Sequence, residues 1–293
     1  MSTVSVQKSS STDLWQIVRT DVKAASLKPA IRITVLIWVL QIVIFAYVIP
    51  YILCHTATDA IGLEAAEALR AGLDLSVLGE YVTASVPLYG IPVGVVVGAI
   101  LVCSDYELKT LGVLLARIPK RWWLGVSRLV TMAVVSLIMA LCSFIAAATC
   151  STIFTAIQGT EFGFDFGGTM LGLGATTLGL FSYAVLGSLF GYLTRSILGA
   201  VMLGLGWTFG IETLGIGMLS GSSDFLKFLH GVTLTGNIGS LPTALDRTAV
   251  LSIQPQLGVN TPHSGSVALL FIICWLVVCA SVGIFLLCRR DVS

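Results

Sequence analysis

Charge is what this chain has least of. Only 11% of its 293 residues are Asp, Glu, Lys or Arg, whereas a soluble domain carries about 25%. Apolar residues make up 56%, and the mean hydropathy is +0.97. That leaves too little polar surface to cover a water-soluble globule, so the bulk of the chain is expected in lipid. The formal net charge of +1 excludes the strongly basic surface that nucleic acid requires, and no nucleic-acid partner is expected.

Further absences narrow the chemistry. No G-x-x-x-x-G-K-[ST] loop occurs, so this chain does not cradle ATP phosphates by that route. The histidines, His55, His230 and His263, all fall in connecting segments, which leaves no Ser–His pair at membrane depth. They also lack metal-ligand spacing. The seven cysteines, Cys54, Cys103, Cys142, Cys150, Cys274, Cys279 and Cys288, lie in or at the ends of apolar runs without paired spacing, as small buried apolar residues do. No catalytic residue, metal or bound cofactor is expected of this chain. The residues before the first apolar run do not form a signal-peptide pattern.

What is present is a set of long apolar runs. A membrane-crossing helix needs about 20 such residues, and six stretches qualify: Ala30–Cys54, Val86–Cys103, Leu124–Ile153, Gly168–Leu193, Ile197–Leu219 and Ser266–Cys288. Thr194, Arg195 and Ser196 divide the fourth from the fifth and predict a tight surface turn. Residues 1–12 form a Ser/Thr-rich tail. In the stretch 13–28, Leu14, Ile17, Val18, Val22 and Ala25 share one helical face, with Arg19, Asp21 and Lys23 largely off it. With Trp15, this predicts a helix lying in the membrane interface.

Lysine and arginine set the orientation. With the N-terminus inside, 13 of the 16 basic residues fall on the inner side, and Arg70, Lys227 and Arg247 fall outside. The opposite orientation reverses the ratio. The expected fold class is therefore an all-α membrane protein with six transmembrane helices, N-in and C-in, with residues 289–293 as an inner tail. Two outer connections are long, at 55–85 and 220–265. The second contains DFLKFLHGV (224–232), too short to span and so an interfacial or re-entrant helix.

Glycines at four-residue spacing suit close helix packing. They occur at Gly90, Gly94 and Gly98, at Gly168 and Gly172, at Gly187 and Gly191, and at Gly206 and Gly210. Pro92 is expected to kink the second span. Glu212 is the ionisable residue within a span. It lies about 22 Å along a hydrocarbon core about 30 Å thick. A carboxylate there must face the bundle interior, a partner or water. It is a candidate contact on a transport path, or a structural hydrogen bond. Trp207, on the same helix, is expected to face elsewhere.

The most charged piece between two apolar runs is Ser104–Val130, SDYELKTLGVLLARIPKRWWLGVSRLV. Leu108, Leu111, Leu115 and Ile118 recur at helical spacing within it, and Trp122 and Trp123 suit an interfacial anchor. Its pattern is Glu107-x-x-Thr110-Leu111, then Leu114-Leu115-Ala116, then Pro119-Lys120-Arg121, with Gly125 and Arg128 opening the next span. That pattern resembles the cytoplasmic segment of type-2 (type V fold) ABC exporter permeases, the group that includes antibiotic- and lantibiotic-immunity permeases and NatB-like sodium-efflux proteins. The six-span layout, the N-terminal helix and the long outer segment before the sixth span are shared as well. Lys109 stands where the family usually has Gly, and Lys120 where Ser is common.

The resemblance implies that segment 104–123 carries a coupling helix seated in a groove of a separate cytoplasmic ABC ATPase. Glu107, Leu108, Thr110, Leu111, Leu115, Arg117, Ile118 and Arg121 would form the docking surface, by helix-in-groove recognition. ATP and Mg would be bound by that ATPase. A second permease copy, or a related permease, would complete the path in a cell membrane, as in bacterial plasma membranes. The cargo would be amphipathic: a drug, a lantibiotic-like peptide or a lipid-linked molecule. Two other classes remain open at this point. One is a non-transporting scaffold or sensor that recruits a cytoplasmic partner. The other is a secondary transporter, which wants an ion-coupling carboxylate nearer midplane than Glu212.

Overall fold

The computed structural model describes residues 14–56, 62–112, 114, 120–159, 163–245 and 263–289. The described residues are mostly helical, with no strand among them. In chain order they form α1 (Leu14–Leu27), α2 (Pro29–Thr56), α3 (Leu63–Gly72), α4 (Leu75–Glu107), α5 (Arg121–Gln158), α6 (Phe166–Thr194), α7 (Ile197–Ser222), α8 (Asp224–Val232), α9 (Leu234–Leu245) and α10 (Gly265–Arg289). Six of them, α2, α4, α5, α6, α7 and α10, are long and apolar enough to cross a membrane. The tail at 1–12 and residues 290–293 of the expected C-terminal tail lie outside the described residues.

α4 is the axis of the bundle. Most of its apolar stretch is buried, 78%, against 17% for α10, and α6 is its closest neighbour. The glycine spacing explains how the two approach. A Cβ built on Gly98 would stand 1.9 Å from Ala184 O, and one on Gly187 would stand 2.3 Å from Val95 O. No side chain larger than hydrogen fits at such a crossing. Gly206 and Gly210 differ, because a Cβ on either would meet nothing within 4 Å.

The second span is longer than its hydropathy indicates. Instead of beginning at Val86, the helical run begins at Leu75. Its first part, Leu78–Ala84, is wholly buried, although it was expected in an outer connection. Glu80 is buried there at 4% exposure and is engaged by a contact of its own. Thr83 Oγ1 donates to Gly79 O at 2.7 Å and lies 3.2 Å from Gly172 O on α6. Polar residues suit this segment because protein, not lipid, surrounds it. A π-helical turn, Val86–Gly90, falls just before Pro92, where the proline removes a backbone donor.

The other expected spans match to within a few residues. α5 is the outlier in length: its 38 residues reach about 57 Å at 1.5 Å per residue, well beyond a hydrocarbon core of about 30 Å. The predicted turn between α6 and α7 is present. Arg195 closes α6 in the left-handed conformation at φ 57°, its N–H bonded to Gly191 O at 2.9 Å. Ser196 then caps α7, its hydroxyl accepting from Gly199 N at 3.5 Å.

The connection before α10 holds more structure than its composition suggests. α8, the DFLKFLHGV helix, is followed by a second helix, α9, in a stretch that reads as a Gly/Pro/Ser-rich loop. Leu234–Pro242 of α9 is buried throughout, packed against α10, α4 and α6. Trp275 Nε1 of α10 donates to Val232 O at 2.8 Å. Asn237 Nδ2 donates to Gly231 O and Thr233 O at 2.8 and 2.7 Å. These bonds fix the turn between α8 and α9. Small residues here allow close packing rather than flexibility.

Candidate docking segment and its buried ion cluster

α4 ends in a Schellman turn. Thr110 N donates to Asp105 O at 3.0 Å and Lys109 N to Tyr106 O at 3.1 Å, the paired bonds of that motif. Lys109 occupies the left-handed position at φ 54°, where glycine is favoured because a Cβ costs about 1 kcal/mol or more. Lys109→Gly is expected to raise stability by about 1 kcal/mol. A thermal melt of the purified variant that shows no gain would remove this account of the turn.

Those of the expected docking residues that are described separate into three groups. Leu108 is 69% exposed, and Thr110 is exposed beside it. Leu111 instead turns inward at 4% exposure and joins the apolar core. Glu107 and Arg121 are exposed but bonded within the bundle. Glu107 Oε1 accepts from Ile197 N at 2.9 Å, meeting a free N–H at the start of α7, where a carboxylate is favoured. Arg121 Nη1 donates to Cys288 O at 3.5 Å, at the C-terminal end of α10. Leu115, Arg117 and Ile118 lie outside the described residues. Lys120 precedes α5 in extended conformation, its Nζ 5.9 Å from the Trp123 ring centroid.

Beneath this segment lies an ion cluster. Arg128 of α5 pairs through Nη2 with Asp105 of α4. Its Nε stands 3.8 Å from Asp21 Oδ2 of α1. Ser127 Oγ donates to the same Asp21 oxygen at 2.5 Å, and Lys28 Nζ donates to Ser104 Oγ at 2.5 Å. Arg128, Asp21 and Asp105 are 5%, 8% and 9% exposed. Burial outweighs the attraction of Asp105 at Lys28 and holds its ammonium below the usual lysine range. Two cations and two carboxylates thus balance inside the protein and tie α1 to the end of α4 and the start of α5. Arg195 extends the tie to the α6–α7 turn, its guanidinium 5.9 Å from the Tyr106 ring centroid.

Asp21 corrects the reading of α1. Ile17, Val18 and Ala25 face inward as the periodicity predicts, but Asp21 is on that buried face rather than off it. Its counter-charge is 107 positions away in sequence, so no local pattern exposes the pair. The available signal was a lone arginine just inside an apolar run, which requires an acid within reach.

Glu212 faces the bundle interior, one of the expected alternatives, but its relation to Trp207 differs from expectation. It is 1% exposed, and three donors hold it: Trp207 Nε1 at 2.8 Å, Thr235 N at 2.9 Å and Thr235 Oγ1 at 2.6 Å. In an α-helix, residues five apart point about 140° away from each other. Residues 206–217 instead form a π-helix, whose i→i+5 bonding brings Trp207 beneath Glu212. Thr213 Oγ1 to Thr208 O, 2.8 Å, keeps the same spacing. The carboxylate therefore sits on the first N–H groups of α9, the end at which a helix favours negative charge. Glu212 is not alone as an ionisable group in the spanning helices, since Glu80, Asp105 and Arg128 lie in them too.

No protein-family model matches the chain, and no curated protein matches it either.

Proposed function

We propose that this chain is the membrane-spanning permease subunit of an ATP-driven ABC exporter, and that it receives force from a separate cytoplasmic ATPase through the segment after α4. One observation carries the reading: an exposed apolar residue, Leu108, stands at the tip of a turn whose root is locked to α1, α5 and α7 by buried charge and hydrogen bonds. A push on such a tip moves several helices together, because the root cannot flex alone. The sorting of basic residues supports an inner location for this end, and the lack of a phosphate loop is in keeping with a reading in which a partner binds the ATP. In this reading Glu212 links α7 to α9 near the outer side, and the cargo is amphipathic.

The burial of Leu111 decides which variant tests docking. Leu111→Asp would disturb the core, so its loss of function would not discriminate. Leu108→Asp is expected to leave the six-span body folded and to reduce the co-purifying ATPase at least tenfold. The test is mild-detergent purification from the native membrane, with the retained proteins identified by mass. A wild-type preparation that retains no phosphate-loop ATPase would defeat the exporter reading and favour the scaffold class.

A further inference from the structure

The end of the bundle away from the ion cluster carries a polar pocket that the transport reading leaves unused. Its volume is ≈ 510 Å³, and His55, Arg70, Ala71, Asp74 and Gln158 line it. They come from the end of α2, from α3 and the turn after it, and from the last residue of α5. Arg70 Nη2 donates to Cys54 O at 3.2 Å. Among the described residues no carboxylate pairs with Arg70, so most of its five N–H donors remain for a ligand. His55 Nδ1 is 2.9 Å from Tyr51 O, which fits an Nδ1–H donor and leaves Nε2 without such a bond. Gln158 Nε2 is buried without a hydrogen-bond partner. Asp74 is already engaged by a contact of its own.

A buried amide N–H without an acceptor is costly, and here it belongs to a residue that lines an open pocket together with a guanidinium that no carboxylate pairs with among the described residues. Both groups ask for oxygen acceptors with negative charge. The last turns of α2 and α5, the helices that contribute His55 and Gln158 to the pocket, also carry Ile52, Ile153 and Ile157, all at least half exposed. A polar pocket above exposed isoleucines at the ends of two spans has the layout of a phospholipid site, with headgroup above and acyl chains below.

We propose that this pocket binds a phosphate group, with the Arg70 fork taking two oxygens and Gln158 Nε2 donating to the phosphate. A phospholipid headgroup or free phosphate could supply that chemistry, and the exposed isoleucines favour the lipid. The test uses the full chain in detergent. Native mass spectrometry counts retained phosphatidylglycerol, and thermal shift follows a titration of inorganic phosphate. The lipid source predicts phosphatidylglycerol on the wild type, at least tenfold less on Arg70→Gln, and no shift with inorganic phosphate. A phosphate shift that Arg70→Gln abolishes, without retained lipid, keeps the pocket and assigns it to free phosphate. Equal behaviour of wild type and Arg70→Gln in both arms overturns the proposal. Should Arg70→Gln fail to fold, Gln158→Leu, at the end of α5, is read against the same two outcomes.

Discussion

Replacing Arg128 with methionine is expected to cost about 3–5 kcal/mol of stability, the usual effect of removing one partner from a buried ion pair. Methionine nearly matches the arginine stem in volume, so lost packing contributes little. What remains is two carboxylates, Asp21 and Asp105, both under one-tenth exposed, with Lys28 as a cation that acts on both. Their repulsion and lost solvation act on the contacts that join α1, α4 and α5. The same physics predicts a rescue. Arg128→Met combined with Asp21→Asn should recover more than half of the loss, because Asp105 and Lys28 then remain as one balanced pair. Denaturant or thermal unfolding in detergent measures both. A loss under about 1 kcal/mol for Arg128→Met would mean that water reaches the cluster, since exposed pairs are worth no more than that.

Gly98→Ala should be nearly as damaging, at about 3 kcal/mol, the upper end of the usual cost of overpacking. The new methyl would fall 1.9 Å from Ala184 O and 2.8 Å from Ser188 N. Both are backbone atoms of α6, so no side chain can rotate away. The two most central spans must separate, and with them the packing of α7 and α9. Gly206→Ala is the matched control, because nothing lies within 4 Å of its Cβ position. It should change stability by less than about 0.5 kcal/mol, as surface substitutions do. Similar melts for the two variants would contradict the close α4–α6 crossing.

The spans were legible because lipid-facing helices must be apolar along their whole length, and that shows in hydropathy. The misjudged elements are those surrounded by protein instead. Leu78–Ala84 carries Glu80 and Thr83 because neighbouring helices supply their partners. α9 reads as a loop because Gly236, Gly239, Ser240 and Pro242 are usually loop residues, yet small side chains let it press between α4, α6 and α10. The Glu212 site was legible as a buried carboxylate but not as a pair with Trp207, since α-helical spacing was assumed where the chain is π-helical. The segment after α4 was marked out in the sequence by charge and periodicity. The bonds of Glu107 and Arg121 run to residues 197 and 288, and no local pattern contains them.

The side and occupancy of Leu108 test the central claim most directly. The measurement is the reaction of a membrane-impermeant maleimide with Leu108→Cys, in a chain whose seven native cysteines are replaced by alanine. Docking on an inner surface predicts no labelling in intact cells, labelling in inverted vesicles, and slower labelling in vesicles that retain the ATPase than in stripped ones. Labelling from outside intact cells, or equal rates with and without the ATPase, would contradict it.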